Sequence, residues 1–175
     1  MLRGEIPVLF SGKMEFNKAR ILSQGSDIAL LSSGICTEEA MRATQVIKDR
    51  GISVTHLHIS TLKPFTDPEV VKALKNCNSG IVTMENHSVI GGLGTCVAEV
   101  MAEHGIGRKL VKLGLNDVFS HGASRPYLLK EHRLDAMSLV KAVEGLTGKK
   151  LGVTEAELDA VRLEAVHSEA KAEAL

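Results

Sequence analysis

The chain has 175 residues and a mass of 18.8 kDa, enough for one compact domain with an appendage. Its 44% hydrophobic and 24% charged residues exclude wholesale disorder. Twenty-one basic residues against twenty-one acidic ones leave no net field to draw nucleic acid or anionic lipid, and with aromatics at 3% the stacking platform of a single-strand binder is missing as well.

Residues 1–25 carry no helix or strand period long enough for a domain and are expected to form an arm. From Asp27 a repeated pattern begins. The apolar run Asp27 to Gly34 suits a strand covered on both faces. Thr37 is placed to cap a helix whose first turn carries Glu38 and Glu39, with Ala40, Ala43 and Ile47 inward and Gly51 as a left-handed stop. Ile52 to Ile59 reads as the second strand, and Asp67-Pro68 as the cap and first residue of the next helix, with Val70, Val71 and Leu74 inward. Gly80 to Met84 is the third strand, followed by an expected loop Glu85-Asn86-His87-Ser88, then Gly91-Gly92-Leu93-Gly94 and a helix burying Val97, Val100 and Met101. Leu110 to Leu115 is the fourth strand, before a long loop from Asn116 to Pro126 and a short helix at Leu128 and Leu129. Asp135 caps the next helix, which ends near Gly148.

Strand–helix alternation every 25–30 residues or so predicts parallel βαβ units with right-handed crossovers, hence a three-layer α/β sandwich over residues 26–148. Residues 149–175 differ: from Thr154 they are rich in strong helix formers with only a weak apolar stripe, and are expected to form an appended helical tail.

In an open α/β sheet, ligands gather beyond the carboxyl ends of the strands, which directs attention to Ser32-Ser33-Gly34, Ser60-Thr61, Glu85-Asn86-His87 and Asn116-Asp117. Glu85, His87, Gly91, Gly92 and Gly94 form the candidate anion or interaction loop, because amides at a helix start attract anions. The pattern is not the dinucleotide fingerprint, since Val97 stands where its last glycine belongs, and no P-loop Lys-Ser/Thr pair follows. Glu85 beside His87 also has the makings of an acid–base pair, against the alternative of a loop-pinning contact. His56 and His58 share one side of a strand but lack a third ligand nearby in sequence, so satisfied histidines are expected rather than a metal site. Lys63 beside Pro64, and Ser120-His121-Gly122 with Arg125, are read as a solvated turn and a polar connection, with anion binding and a lid as the functional alternatives. No nucleophile elbow is present, and none of Cys36, Cys77 and Cys96 adjoins a histidine. No residue is assigned to catalysis, to a cofactor or to a metal.

Three widely spaced cysteines suit a reducing compartment. The apolar runs fall far short of the ~20 residues a bilayer span needs, and Met1 to Pro7 lacks the form of a secretory signal. A cytoplasmic location without membrane contact is expected.

Several motifs in order resemble one family. Leu62-Lys63-Pro64 with Asp67, the run Val82 to Gly94, Gly114 to Phe119, and the block Leu128-Leu129, Leu134-Asp135-Ala136, Ser138-Leu139-Val140 resemble the C-terminal domain shared by transketolase, deoxyxylulose-phosphate synthase and the beta subunits of 2-oxo-acid dehydrogenases. The likeness spans about residues 6–146. It departs at Asn86, where the family often has a second acid, and it does not extend past Gly148. The resemblance implies a mostly parallel five-stranded sheet with helices on both faces, its fifth strand supplied by the arm. It implies that thiamine diphosphate and magnesium are held elsewhere, between a pyrophosphate-binding and a pyrimidine-binding domain, the former marked by a G-D-G motif that this chain lacks. Only Arg3-Gly4-Glu5-Ile6-Pro7 is similar to the trailing edge of a pyrimidine domain. The expectation is the C-terminal domain or subunit of a transketolase-type enzyme moving a two-carbon ketol unit between sugar phosphates, inactive alone. Such a chain would dock on its missing domains or subunit and assemble as a homo-oligomer, a dimer in the family. A deoxyxylulose-phosphate synthase fragment and a stand-alone interaction or regulatory module are the alternatives.

Overall fold

A computed structural model of the chain describes residues 7–163. Eleven elements run in the order β1 (Arg20–Ser23), β2 (Ile28–Ser32), α1 (Cys36–Asp49), β3 (Val54–His58), α2 (Pro68–Asn76), β4 (Gly80–Ser88), α3 (Leu93–Glu103), β5 (Leu110–Leu115), α4 (Arg125–Glu131), α5 (Ala136–Thr147) and α6 (Glu155–Ala160). They build a five-stranded sheet of order β1-β3-β2-β4-β5. β2, β3, β4 and β5 are mutually parallel, and β1 closes one edge antiparallel to β3, pairing Arg20 with His58. The expected three-layer architecture is therefore present, with its fifth strand drawn from the arm.

Alternation along the strands sorts the two faces. Ile28 and Leu30 of β2, Val54 of β3, and Val82 and Met84 of β4 pack with Ala40, Ala43 and Ile47 of α1 and Leu139, Val140 and Val143 of α5. Ala29, Leu31, Leu57 and Ile81 face Leu74 of α2 and Leu93 and Val97 of α3. The fully buried β2 bears out the expectation of a strand covered on both sides. Asp67 accepts a hydrogen bond from the Glu69 amide and Asp135 one from the Ser138 amide, each as an N-cap. Gly148, at φ +70°, ends α5 in the left-handed conformation.

Two local expectations are corrected. Thr37 is not the cap of α1: it lies inside the first turn, and its hydroxyl is spent on Ser32 and His58. The expected loop from Glu85 to Ser88 is strand, because β4 continues through a register shift to pair Ser88 with Leu115. In the expected tail Thr154 and Glu157 form a reciprocal capping box on α6, but that helix ends at Ala160 rather than running on through 161–163. Leu158 of α6 is buried in the α1–α5 core. The rest of the expected tail helix, 164–175, lies outside the described residues, as do the first six residues.

Candidate functional site

β4 carries Glu85 on its α3 face, where the side chain is buried against the start of that helix. Its two carboxylate oxygens accept from the Leu93 amide at 2.7 Å and the Gly94 amide at 2.8 Å. A helix start presents unpaired amides and a partial positive charge, so the carboxylate is stabilised there and supplies the cap that Gly92 has no side chain to give. The fit requires glycine: a Cβ on Gly92 would run into the Glu85 carboxylate and stand 2.7 Å from the Ser88 carbonyl oxygen, which the backbone holds in place. The Gly91 amide, in a left-handed turn, donates to Thr95 Oγ1.

Of the candidate loop, then, Glu85, Gly92 and Gly94 come together through an internal anion that takes the seat at the helix start. His87 does not join them. Its side chain is exposed and has no hydrogen-bond partner among the described residues, so Glu85 and His87 form no acid–base pair. What the loop offers outward is apolar. The β4–α3 and β5–α4 loops leave the sheet side by side, joined by a Val89 amide to Leu115 carbonyl bond of 3.0 Å. They expose Ile90, Val118 and Phe119, the last wholly solvated. Ser120 bonds His132, and His121 lies edge-on to Tyr127 at 5.8 Å.

The first turn of α1 is a second centre that the sequence did not single out. Glu38 accepts from Arg125, at the start of α4, at 3.2 Å. Glu39 accepts from Arg42 and from the Ala136 amide that opens α5. Arg42 in turn donates to the Leu158 carbonyl and Asp159 of α6. Two adjacent glutamates in a helix start resemble ordinary dipole complements in sequence. Only the fold reveals that they clamp three later helices.

Each of the paired histidines spends one ring nitrogen on a bond within the fold. His56 Nε2 bonds Ser32 Oγ at 2.8 Å, Ser32 bonds Thr37 at 2.9 Å, and Thr37 bonds His58 Nδ1 at 2.8 Å. The chain runs from a buried imidazole under α1 to a half-buried one in tilted contact with the Phe10 ring. Burial, with a lesser contribution from His58, pushes the His56 pKa down to about 3. It is therefore neutral when folded and protonates near 6.5 when unfolded. Its contribution is complete above pH 6.5, and stability falls as pH drops from there towards about 3, by up to ~1.4 kcal/mol per pH unit. His58, lowered by burial and by Arg20, adds to this limb. Urea midpoints between pH 7.5 and 4.5 should show the loss, and His56→Gln should flatten it.

The environment of all three thiols disfavours the thiolate. Burial pushes Cys36 up to about 12, helped by Glu39 and Glu85, and raises Cys77 and Cys96. All three buried glutamates are committed internally, and among the described residues no three His, Cys, Asp or Glu converge to hold a metal ion.

Four parallel strands and one antiparallel edge strand, covered by helices on both faces, define an α/β sandwich. The chain belongs to the transketolase C-terminal domain family, whose profile matches residues 17–139. It is 40% identical to a putative transketolase C-terminal section from Methanocaldococcus jannaschii, over 74% of this chain and 40% of that protein. It is 34% identical to a 6-deoxy-6-sulfo-D-fructose transketolase subunit from Clostridium sp., over 76% of this chain and 41% of that one. A solved split-gene transketolase, an inactive beta4 tetramer, superposes with a TM-score of 0.73 at 33% identity, covering 82% of this chain and 46% of its own. The chain thus spans about two fifths of the length of these two curated relatives.

Proposed function

We propose that the chain is the C-terminal module of a thiamine diphosphate-dependent, transketolase-type transferase that moves a two-carbon ketol unit between sugar phosphates, and that it serves assembly rather than chemistry. The observation that carries this is the commitment of every buried carboxylate to the fold. None is left to activate a cofactor. The partner is the module carrying the pyrophosphate- and pyrimidine-binding domains, which would supply the cofactor, its magnesium ion and the reacting groups. Split-gene relatives at similar identity support a separate subunit as that partner. Ile90, Val118 and Phe119, with His87 and Gly91 beside them, form the docking face. Assembly as a homo-oligomer, a dimer of complete enzymes, and a cytoplasmic location complete the reading. No helix among the described residues is long and apolar enough to cross a membrane.

The purified chain, supplied with thiamine diphosphate, magnesium and ketose and aldose phosphates, should show no ketol transfer. Co-purified with its cofactor-binding partner it should be active, and Phe119→Asp should weaken that association. Turnover by the lone chain would overturn the proposal. A second reading, deoxyxylulose-phosphate synthase, draws on 32% identity to that enzyme from Parabacteroides distasonis over 142 residues and on the run Phe119-Ser120-His121-Gly122. Assaying the reconstituted pair with pyruvate and glyceraldehyde phosphate separates the two.

A further inference from the structure

At the antiparallel edge of the sheet, far along the chain from the glycine loop, the arm folds back over β1 and leaves a cavity of about 600 Å³. That is the size of pocket which takes a small metabolite. Its lining gathers Lys13, Lys18 and Arg20 with a single acid, Glu15. None of the three cations has an ion-pair partner among the described residues. The cross-strand register sets Arg20 opposite His58, so both reach the cavity from adjacent strands.

Arg20 is held in place. Its guanidinium lies 4.8 Å from the Phe10 ring centroid and donates to the carbonyls of Ser11 and Lys13 at 3.2 and 3.4 Å, leaving further N–H groups unused. The same Phe10 ring packs on His58 at 4.7 Å. His58 uses Nδ1 on Thr37, and neither its Nε2 nor the Ser60 hydroxyl has a hydrogen-bond partner among the described residues. A neutral imidazole accepting at Nδ1 carries its proton on Nε2 and donates from it. The Thr37 and Ser32 hydroxyls and His56 can all orient to favour that tautomer.

We infer that this cavity binds a small phosphate-bearing anion, with Arg20, Lys18 and Lys13 neutralising its charge and His58 Nε2 and Ser60 Oγ donating to its oxygens. A planar guanidinium fixed beside further donors is the arrangement suited to phosphate. Glu15 opposes a simple polyanion and suits a ligand with a hydroxyl beside its phosphate. The site is independent of the proposed assembly role, and its failure would leave that role standing.

The full chain, labelled with nitrogen-15, is titrated with glycerol 3-phosphate, which carries a hydroxyl beside its phosphate, and with inorganic phosphate at fixed ionic strength. Saturable one-to-one binding, with amide shifts confined to Lys13–Ile21 and His58–Ser60, is expected. Arg20→Gln should weaken it by about tenfold or more and Lys18→Gln severalfold, while Lys75→Gln on α2 changes nothing. Because Arg20→Gln removes arm contacts, Ser60→Ala and Lys13→Gln provide losses that leave the fold untouched, checked by unchanged amide spectra elsewhere. Shifts spread over all surface lysines, no saturation, or variants that bind like the parent would overturn the inference.

Discussion

Arg42→Met should cost about 3–5 kcal/mol of stability, the range for removing one partner of a buried ion pair. Arg42 and Glu39 are each about 4% exposed, and the guanidinium donates to both Glu39 oxygens at 2.8 and 2.7 Å. Without it, Glu39 keeps only the Ala136 amide and a distant Arg162 at 3.9 Å for a buried charge. The Leu158 carbonyl loses both its donors in the same step, so α6 should come away from α1. For a domain of this size the loss corresponds to a melting-temperature drop of roughly 10 °C. Hydrogen exchange should show Leu158 and its neighbours unprotected before the sheet opens. Glu39→Gln on top of Arg42→Met should recover part of the loss, because the orphaned charge is gone while the Ala136 amide keeps an acceptor. A single variant that melts with the parent would show that the clamp contributes nothing.

Glu85→Ala should cost about 2–4 kcal/mol, since two buried amides at the start of α3 lose a charged acceptor at once. Glu85→Gln is the sharper test. A carboxamide has one acceptor oxygen, and its NH2 would confront the second amide, so most of the loss should remain. If Glu85 served an acid–base or ligand role instead, the glutamine variant would fold as stably as the parent. Urea denaturation of the two variants distinguishes these outcomes.

Much of this fold is legible in the chain itself. The apolar runs at Ile28 and Leu110, the Asp67-Pro68 and Asp135 caps and the left-handed stops at Gly51 and Gly148 act within a few residues, where sequence pattern and structure report the same physics. Misreadings arise where a side chain answers to a distant partner. Thr37 has the look of a cap because nothing nearby says that His58, twenty-one positions on, will pair with its hydroxyl. Glu85 to Ser88 is polar and reads as loop, yet Leu115 across the sheet holds it as strand. The role of Arg42 depends on a carbonyl 116 positions away, which no local pattern encodes. β1, four residues long at an edge, is too short and too exposed for its alternation to register. The likeness of Val82–Gly94 to a known family could not say that Glu85 is turned inward while His87 is left to solvent.

Isothermal calorimetry of the isolated chain with thiamine diphosphate and magnesium addresses the division of labour between modules most directly. The account predicts no stoichiometric heat from the chain alone, and binding only when the cofactor-carrying partner is added. One-to-one, saturable uptake of the cofactor by the lone protein would contradict it.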